Sequence, residues 1–243
     1  NMLVKNSQAI KIVKGKKKII KIFGKKHLDS ININVPGDPS SAAFFTALTL
    51  LNKNSILKIK NVGLNSTRIG FYELLKKCGA KIKLKNLKKN NEEIYGDIYV
   101  ESSKIKPIKA SKEYYVKATD EYPILFVIAA LTKGISIFRG INDLANKESN
   151  RIKEMQTILK QVGIKTVATK DGIKIYGKTF IENKNKKINV PDLGDHRICM
   201  STLILSLITG VKTKINNFET VYTSSPSFLK IIKSLGGKFE FQK

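Results

Sequence analysis

The longest unbroken apolar stretch of the chain runs from Pro123 to Leu131, and two others, Ser41–Leu51 and Arg197–Ile208, are almost as continuous. A helix that is apolar on every side has no solvent face, so these segments predict helices enclosed by the rest of the fold, the second of them over Glu121–Leu131. A short strand is expected after each, at Ile56–Ile59, Ile135–Phe138 and Lys212–Ile215. Helices of another kind follow, about Thr67–Lys77, Ser149–Gln161 and Pro226–Leu235, whose apolar residues recur at i, i+3, i+4 and line one face only. Gly79, Gly163 and Gly236 come next, where left-handed C-caps belong. Asp97–Val100 and Gly172–Tyr176 read as further strands, while the Lys- and Asn-rich loops 85–93 and 183–187 read as solvated.

One phrase thus occurs three times. Each copy opens on a polar turn carrying Asp: Val35-Pro36-Gly37-Asp38-Pro39-Ser40-Ser41, Asp120-Glu121-Tyr122-Pro123 and Gly194-Asp195-His196-Arg197. From that Asp to the capping Gly the spacing is 41, 43 and 41 positions. A unit with a face it cannot bury alone must stack on its copies. The expected fold is α/β (α+β), a globe of three β-α-β-α-β-β repeats with helices inside and sheets outside, and the equivalent turns should converge on one end. Repeat boundaries are expected at about 36–110, 111–190 and 191–243, with Pro36-Gly37 as the break. Residues 1–35 read as the terminal strands of a truncated first globe: Ile10–Val13 and Ile19–Phe23 around the lysine turn 14–18, then Ile31–Val35 as a strand or linker. With no helix of their own and Asn1 at the start, they lead us to expect a larger reading frame.

Composition narrows the class. At 243 residues, 42% hydrophobic and 26% charged, the chain has an ordinary globular make-up and enough length for a sizeable core. No stretch approaches the roughly 18 apolar residues of a membrane span, and no targeting pattern is visible, so the expected location is the cytoplasm. Cys78 and Cys199 fall in apolar helical patterns, as structural thiols in a reducing compartment do.

The net charge of +26 is less specific than it looks, because a Lys/Ile/Asn-rich vocabulary is what an AT-rich genome writes everywhere. Lys occurs in every segment, and the aromatics sit in helix and strand patterns rather than interleaved with the basic residues. A nucleic-acid surface is therefore not expected, although the field favours small anions. Of 45 basic residues only Arg68, Arg139, Arg151 and Arg197 are Arg. In such a chain Arg should persist where a planar, bidentate donor is needed. Arg68 and Arg151 take matching places at the starts of second helices; for Arg68, simple bracing of the turn is an equal alternative.

Candidate chemistry gathers at the turns. Lys147-Glu148-Ser149-Asn150-Arg151 is the densest cluster, with Lys147 and Arg151 expected on one helical face and Glu148 beside them. A carboxylate between two cations either pairs structurally or transfers a proton beside an anionic substrate. Asp120 and Glu121 open an apolar helix, where capping competes with chemistry as the explanation. His196 adjoins Arg197; without a second candidate His ligand, no metal is expected. The turn Gly37-Asp38-Pro39-Ser40-Ser41 is an N-cap whose hydroxyls and amides could receive a phosphate.

Five ordered motifs, Pro36-Gly37-Asp38-Pro39-Ser40-Ser41-Ala42, Asn65-Ser66-Thr67-Arg68, Asp120-Glu121-Tyr122-Pro123-Ile124-Leu125, Lys147-Glu148-Ser149-Asn150-Arg151 and Asp195-His196-Arg197-Ile198-Cys199-Met200-Ser201, resemble those of the 5-enolpyruvylshikimate-3-phosphate synthases. The resemblance spans the whole chain and is nearest the branch that writes Asp-Glu-Tyr-Pro in the second repeat. It implies two globes closing over a cleft, of which this chain matches the last strands of one and nearly all of the other. It further implies transfer of the enolpyruvyl group of phosphoenolpyruvate to the 5-hydroxyl of shikimate 3-phosphate, with release of phosphate and no cofactor, by an enzyme of aromatic amino acid biosynthesis that is monomeric when complete. Carried over by motif, Asp120 is the base for the substrate hydroxyl and Glu148 exchanges the proton at the phosphoenolpyruvate methylene. Lys147 contacts substrate and assists proton transfer, Arg151 and Arg197 hold the carboxylate and phosphate, and His196 joins the binding set. The family's amino-terminal Lys-Ser-x-x-x-Arg loop, phosphate-binding Arg and Ser-Ser/Ala-Gln motif have no counterpart here. A missing amino-terminal half is thus an expected partner, and the chain is expected to be inactive alone. Tyr222-Thr223-Ser224-Ser225-Pro226 also lacks the Lys that some members place before that Pro. The rival readings are the sister enzyme acting on UDP-N-acetylglucosamine, against which the Asp-Glu-Tyr-Pro and Lys-Glu-Ser-Asn-Arg pairing speaks, and a basic RNA-binding module on a related repeated fold.

Overall fold

The computed structural model describes residues 9–13, 15, 19–27, 30, 32–90, 93–182 and 185–241. Strands β1 (Ile10–Val13) and β2 (Ile19–Ile22) form an antiparallel hairpin. The first repeat follows with α1 (Pro39–Leu51), β3 (Ile56–Gly63), α2 (Gly70–Lys77), β4 (Lys81–Asn90) and β5 (Glu93–Glu101). The second comprises β6 (Lys109–Ala110), α3 (Lys112–Ala118), α4 (Tyr122–Ala130), β7 (Gly134–Arg139), α5 (Arg151–Gln161), β8 (Lys165–Thr169) and β9 (Gly172–Gly177). The third has β10 (Lys187–Val190), α6 (His196–Thr209), β11 (Lys212–Ile215) and α7 (Phe228–Ser234). The expected strand at 31–35 and the lysine turn at 14–18 lie partly outside the described residues, and 32–35 carry no strand.

The repeats share one wiring. β6 runs parallel to β7, β10 parallel to β11, and Gly37 makes an isolated parallel bridge with Val62 of β3. Parallel neighbours need a crossover, and in each repeat the apolar helix lies within it: α1, α4, α6. These three helices pack on one another. Every residue of α4 is buried, which is why its sequence shows no polar stripe. The sheets, ordered β3-β5-β4 and β6-β7-β9-β8, cover them from outside. β5 alternates accordingly, burying Gly96, Ile98 and Val100. At Gly177 a Cβ would run into the carbonyls of Ala129 and Thr132, so glycine lets β9 lie directly against α4.

The second helices start later than their periodicity suggests. In the first repeat Asn65 folds an Asx turn, its Oδ1 accepting from the Thr67 amide and hydroxyl, and the helix begins only at Gly70. Arg68 therefore sits in that turn, not in a helix. In the second, the Asn150 side chain caps the helix through the Lys153 amide, so α5 begins at Arg151. The third repeat is shorter than expected: after α7, residues up to Phe241 form no strand.

Candidate active site

The three Asp-bearing turns are equivalent in topology and different in use. Asp38 Oδ2 accepts from the Ser41 amide at 2.8 Å and its hydroxyl at 3.1 Å, an ordinary N-cap. Asp195 Oδ1 caps α6 through the amides of Arg197 at 3.0 Å and Ile198 at 3.4 Å. Neither Asp120 nor Glu121 caps anything, because a 3-10 turn at Thr119–Glu121 runs straight from α3 into α4. Capping is thus excluded as their explanation. The Asp120 carboxylate is turned instead toward two guanidinium groups, 3.3 Å from Arg197 Nη2 and 3.7 Å from Arg151 Nη1.

Arg151 joins the cluster. Its side chain is 1% exposed; Nε donates to Asp195 Oδ2 at 2.9 Å and Nη2 to Glu148 Oε2 at 2.6 Å. Ser149 Oγ donates to Asp195 Oδ2 at 2.9 Å. Burial pushes the Asp195 carboxyl up, but the Arg151 hydrogen bond and charge, with Ser149 and the Arg197 amide, more than offset it and leave it below the usual carboxylate range. Buried Arg151 thus ties two turns of the second repeat, at Asp120 and at Glu148, to the opening turn of the third. Asp120 and Glu148 keep substantial solvent access.

The other expected residues divide. Lys147 is extended and lies ahead of the helix rather than on its face with Arg151; it reaches back to Asp143 Oδ2 at 2.9 Å. Tyr115 Oη donates to the same carboxylate at 2.6 Å. His196 opens α6 half-buried, with Nε2 sealed from solvent and making no hydrogen bond. Burial, with Arg197 nearby, lowers its pKa, so the imidazole is neutral near pH 7. Arg68 braces the first turn, donating to Ser40 Oγ at 3.1 Å and standing 3.6 Å from Asp38 Oδ1. Among the described residues no cluster of three or more His, Cys, Asp or Glu is placed to hold a metal.

Residue-by-residue reading missed Asp143, Tyr115 and the anchoring role of Asp195. Asp143 had a signal in its i, i+4 spacing to Lys147; Tyr115, at a separation of 28 positions, had none. Chemically, the cluster offers two accessible carboxylates beside immobilised guanidinium groups, an arrangement suited to moving protons at an anionic ligand.

This architecture is known among enolpyruvyl transferases: the enolpyruvyl transferase NikO from Streptomyces tendae superposes with a TM-score of 0.71 over 95% of this chain and 50% of its own, at 13% identity. The sequence narrows the class. The family profile described as EPSP synthase (3-phosphoshikimate 1-carboxyvinyltransferase) matches residues 1–232, and the chain belongs to this family. A 3-phosphoshikimate 1-carboxyvinyltransferase from Petrotoga mobilis is 39% identical over 210 residues, covering 86% of this chain and 48% of that protein. The one from Bacillus subtilis is 35% identical over 219 residues, 90% and 50% respectively. An EPSP synthase structure from Acinetobacter baumannii superposes with a TM-score of 0.85 at 34% identity, covering 96% of this chain and 53% of that one. The chain spans about half the length of the curated relatives it matches.

Proposed function

We propose that this chain is the carboxy-terminal half of an enzyme that moves the enolpyruvyl group of phosphoenolpyruvate onto the 5-hydroxyl of shikimate 3-phosphate and releases phosphate. The observation that carries the reading is buried Arg151, paired with Asp120 and Glu148 from two turns and with Asp195 from a third. In this reading Asp120 takes the proton of the attacking hydroxyl as the new C–O bond forms. Glu148 delivers a proton to the methylene carbon and removes one again as the C–O bond to phosphate breaks. Arg151 and Arg197 hold the carboxylate and phosphate, Lys147 reaches substrate from its anchor on Asp143, and neutral His196 lines the same end. Addition and elimination of this kind need acid, base and fixed charge, and no cofactor.

The other globe is supplied, in the same reading, by the rest of the enzyme, working as a cytoplasmic monomer. Residues 1–35 belong to it, and this one holds the three repeats, of which the second and third open with β6 at Lys109 and β10 at Lys187, a few residues ahead of the expected starts at 111 and 191. The exposure of Ile20 and Ile22 on β2 fits a hairpin whose apolar side chains are covered by further chain. No helix among the described residues is long and apolar enough to cross a membrane.

Mixing the chain with a separately produced amino-terminal half should give phosphate release that requires both substrates, and the chain alone should give none. Turnover by the chain alone, or a preference for UDP-N-acetylglucosamine over shikimate 3-phosphate, would overturn the reading.

A further inference from the structure

Glu121, next to Asp120, is 3% exposed and makes no ion pair among the described residues. The Ser40 hydroxyl lies close enough to its carboxyl group to favour the charged form, while Oε1 is sealed from solvent without a hydrogen-bond partner. Ser40 is itself fully buried and accepts from Arg68 Nη2 at 3.1 Å. The charged and titratable groups facing Glu121 come from every side: Asp120 and Tyr122 on its own segment, Arg68 from the Asn65 turn, Tyr72 from α2 and Arg197 from α6. Glu121 therefore occupies the point where the opening turns of all three repeats meet, through Ser40, Asp120 and Arg197.

We propose that Glu121 is a positioning residue: as a neutral acid it fills the buried space between the Ser40–Arg68 turn and the Asp120–Arg197 pair, and on losing its proton it competes with Asp120 for Arg197 and weakens the site's hold on an anionic ligand. The functional half of this rests on the reading that the site takes phosphoenolpyruvate. A buried carboxylate with no cation in contact is costly, whereas the neutral acid is tolerated. Burial pushes the carboxyl up to about 7, with Ser40, Arg197 and Arg68 pulling it back only in part and Asp120 adding to the rise. The change of state then falls in the neutral range, where the ordinary Glu value of about 4.3 would never put it.

Two measurements test it. In the chain on its own, the Arg197 guanidinium NMR resonance should shift between pH 6 and 8 and stay fixed in Glu121→Gln, which is neutral throughout. An Arg197 resonance in the parent that does not respond across this range overturns the proposal even if the variant fails to fold. In the reassembled enzyme, KM for phosphoenolpyruvate should rise severalfold over the same range, and Glu121→Gln should flatten that rise while kcat follows the parent. A variant with the parent's KM slope reduces Glu121 to a space-filling role. If the resonance shifts but reassembly yields no turnover, the enzymatic reading fails and the proton-linked contact stands.

Discussion

Arg151 and Asp195, 44 positions apart in sequence, meet with Nε 2.9 Å from Oδ2 while their side chains are 1% and 0% exposed. A buried ion pair seldom stabilises a fold more than apolar packing would. What this one supplies is placement: it fixes the guanidinium that faces Asp120 and Glu148. Breaking it from one side should be severe. Asp195→Asn keeps a capping side chain but leaves Arg151 without its counter-charge, and the expected loss in unfolding free energy is about 3–5 kcal/mol, read by urea titration. The pH dependence should change with it. A carboxyl held below its unfolded value contributes stability that is complete above about pH 4 and fades as pH falls through the folded value. Asp195→Asn should lack that acid limb.

Asp38 and Asp120 open equivalent helices, yet only Asp38 caps. Asp38→Ala should therefore cost about 1 kcal/mol, and Asp38→Asn a fraction of it. Asp120→Asn weakens two ion pairs in which the carboxylate side is 38% exposed, while Arg151 keeps its pairing with Asp195, and it should cost less than Asp195→Asn, about 1 kcal/mol. In the reassembled enzyme the two positions part more widely, with Asp120→Asn losing turnover by orders of magnitude and Asp38→Asn losing little. Parallel urea titrations and phosphate-release assays decide both.

The Tyr115–Asp143–Lys147 chain gives a different signature. The Tyr115 hydroxyl, followed by Lys147, holds the Asp143 carboxyl below its usual range. Asp143→Asn should release the Lys147 ammonium and raise KM for the anionic substrates more than it lowers kcat. Tyr115→Phe should do the same more weakly, since the ion pair survives. Equal falls in kcat and kcat/KM would place Lys147 in the chemical step instead.

Both cysteines should be silent in the native chain. Burial pushes the Cys199 thiol up to about 12 and raises Cys78 as well, and it is the thiolate that reacts. Iodoacetamide at pH 8 should modify neither thiol until urea unfolds the chain, with mass spectrometry as the readout. Fast native labelling of Cys199 would mean that α6 opens locally.

The inner helices were legible because burial on every side writes itself as an unbroken apolar run. The glycine caps were legible too: Gly163 has φ 77°, a conformation other residues resist. The starts of the second helices were not. Periodicity reports which face is buried, while the side chains of Asn65 and Asn150 decide where the backbone turns helical. The structure brings Asp120, Glu148, Arg151 and Arg197 into one cluster, because equivalent turns of stacked repeats converge. Sequence motifs could not say that Arg151 would be sealed against Asp195, nor that Glu121 would face Ser40, because those contacts cross between repeats.

The resting site supplies its own counter-ions. Arg197 faces the Asp120 carboxylate, and Arg151 faces Asp120 and Glu148. An arriving anion that claimed Arg197 would displace the Asp120 carboxylate, which stands 3.3 Å from Arg197 Nη2. On the proposed reading, the Asp120 carboxylate would be released from its guanidinium partner only once the anion was seated. Partner exchange of this kind would let ligand capture free a carboxylate by trading one counter-ion for another.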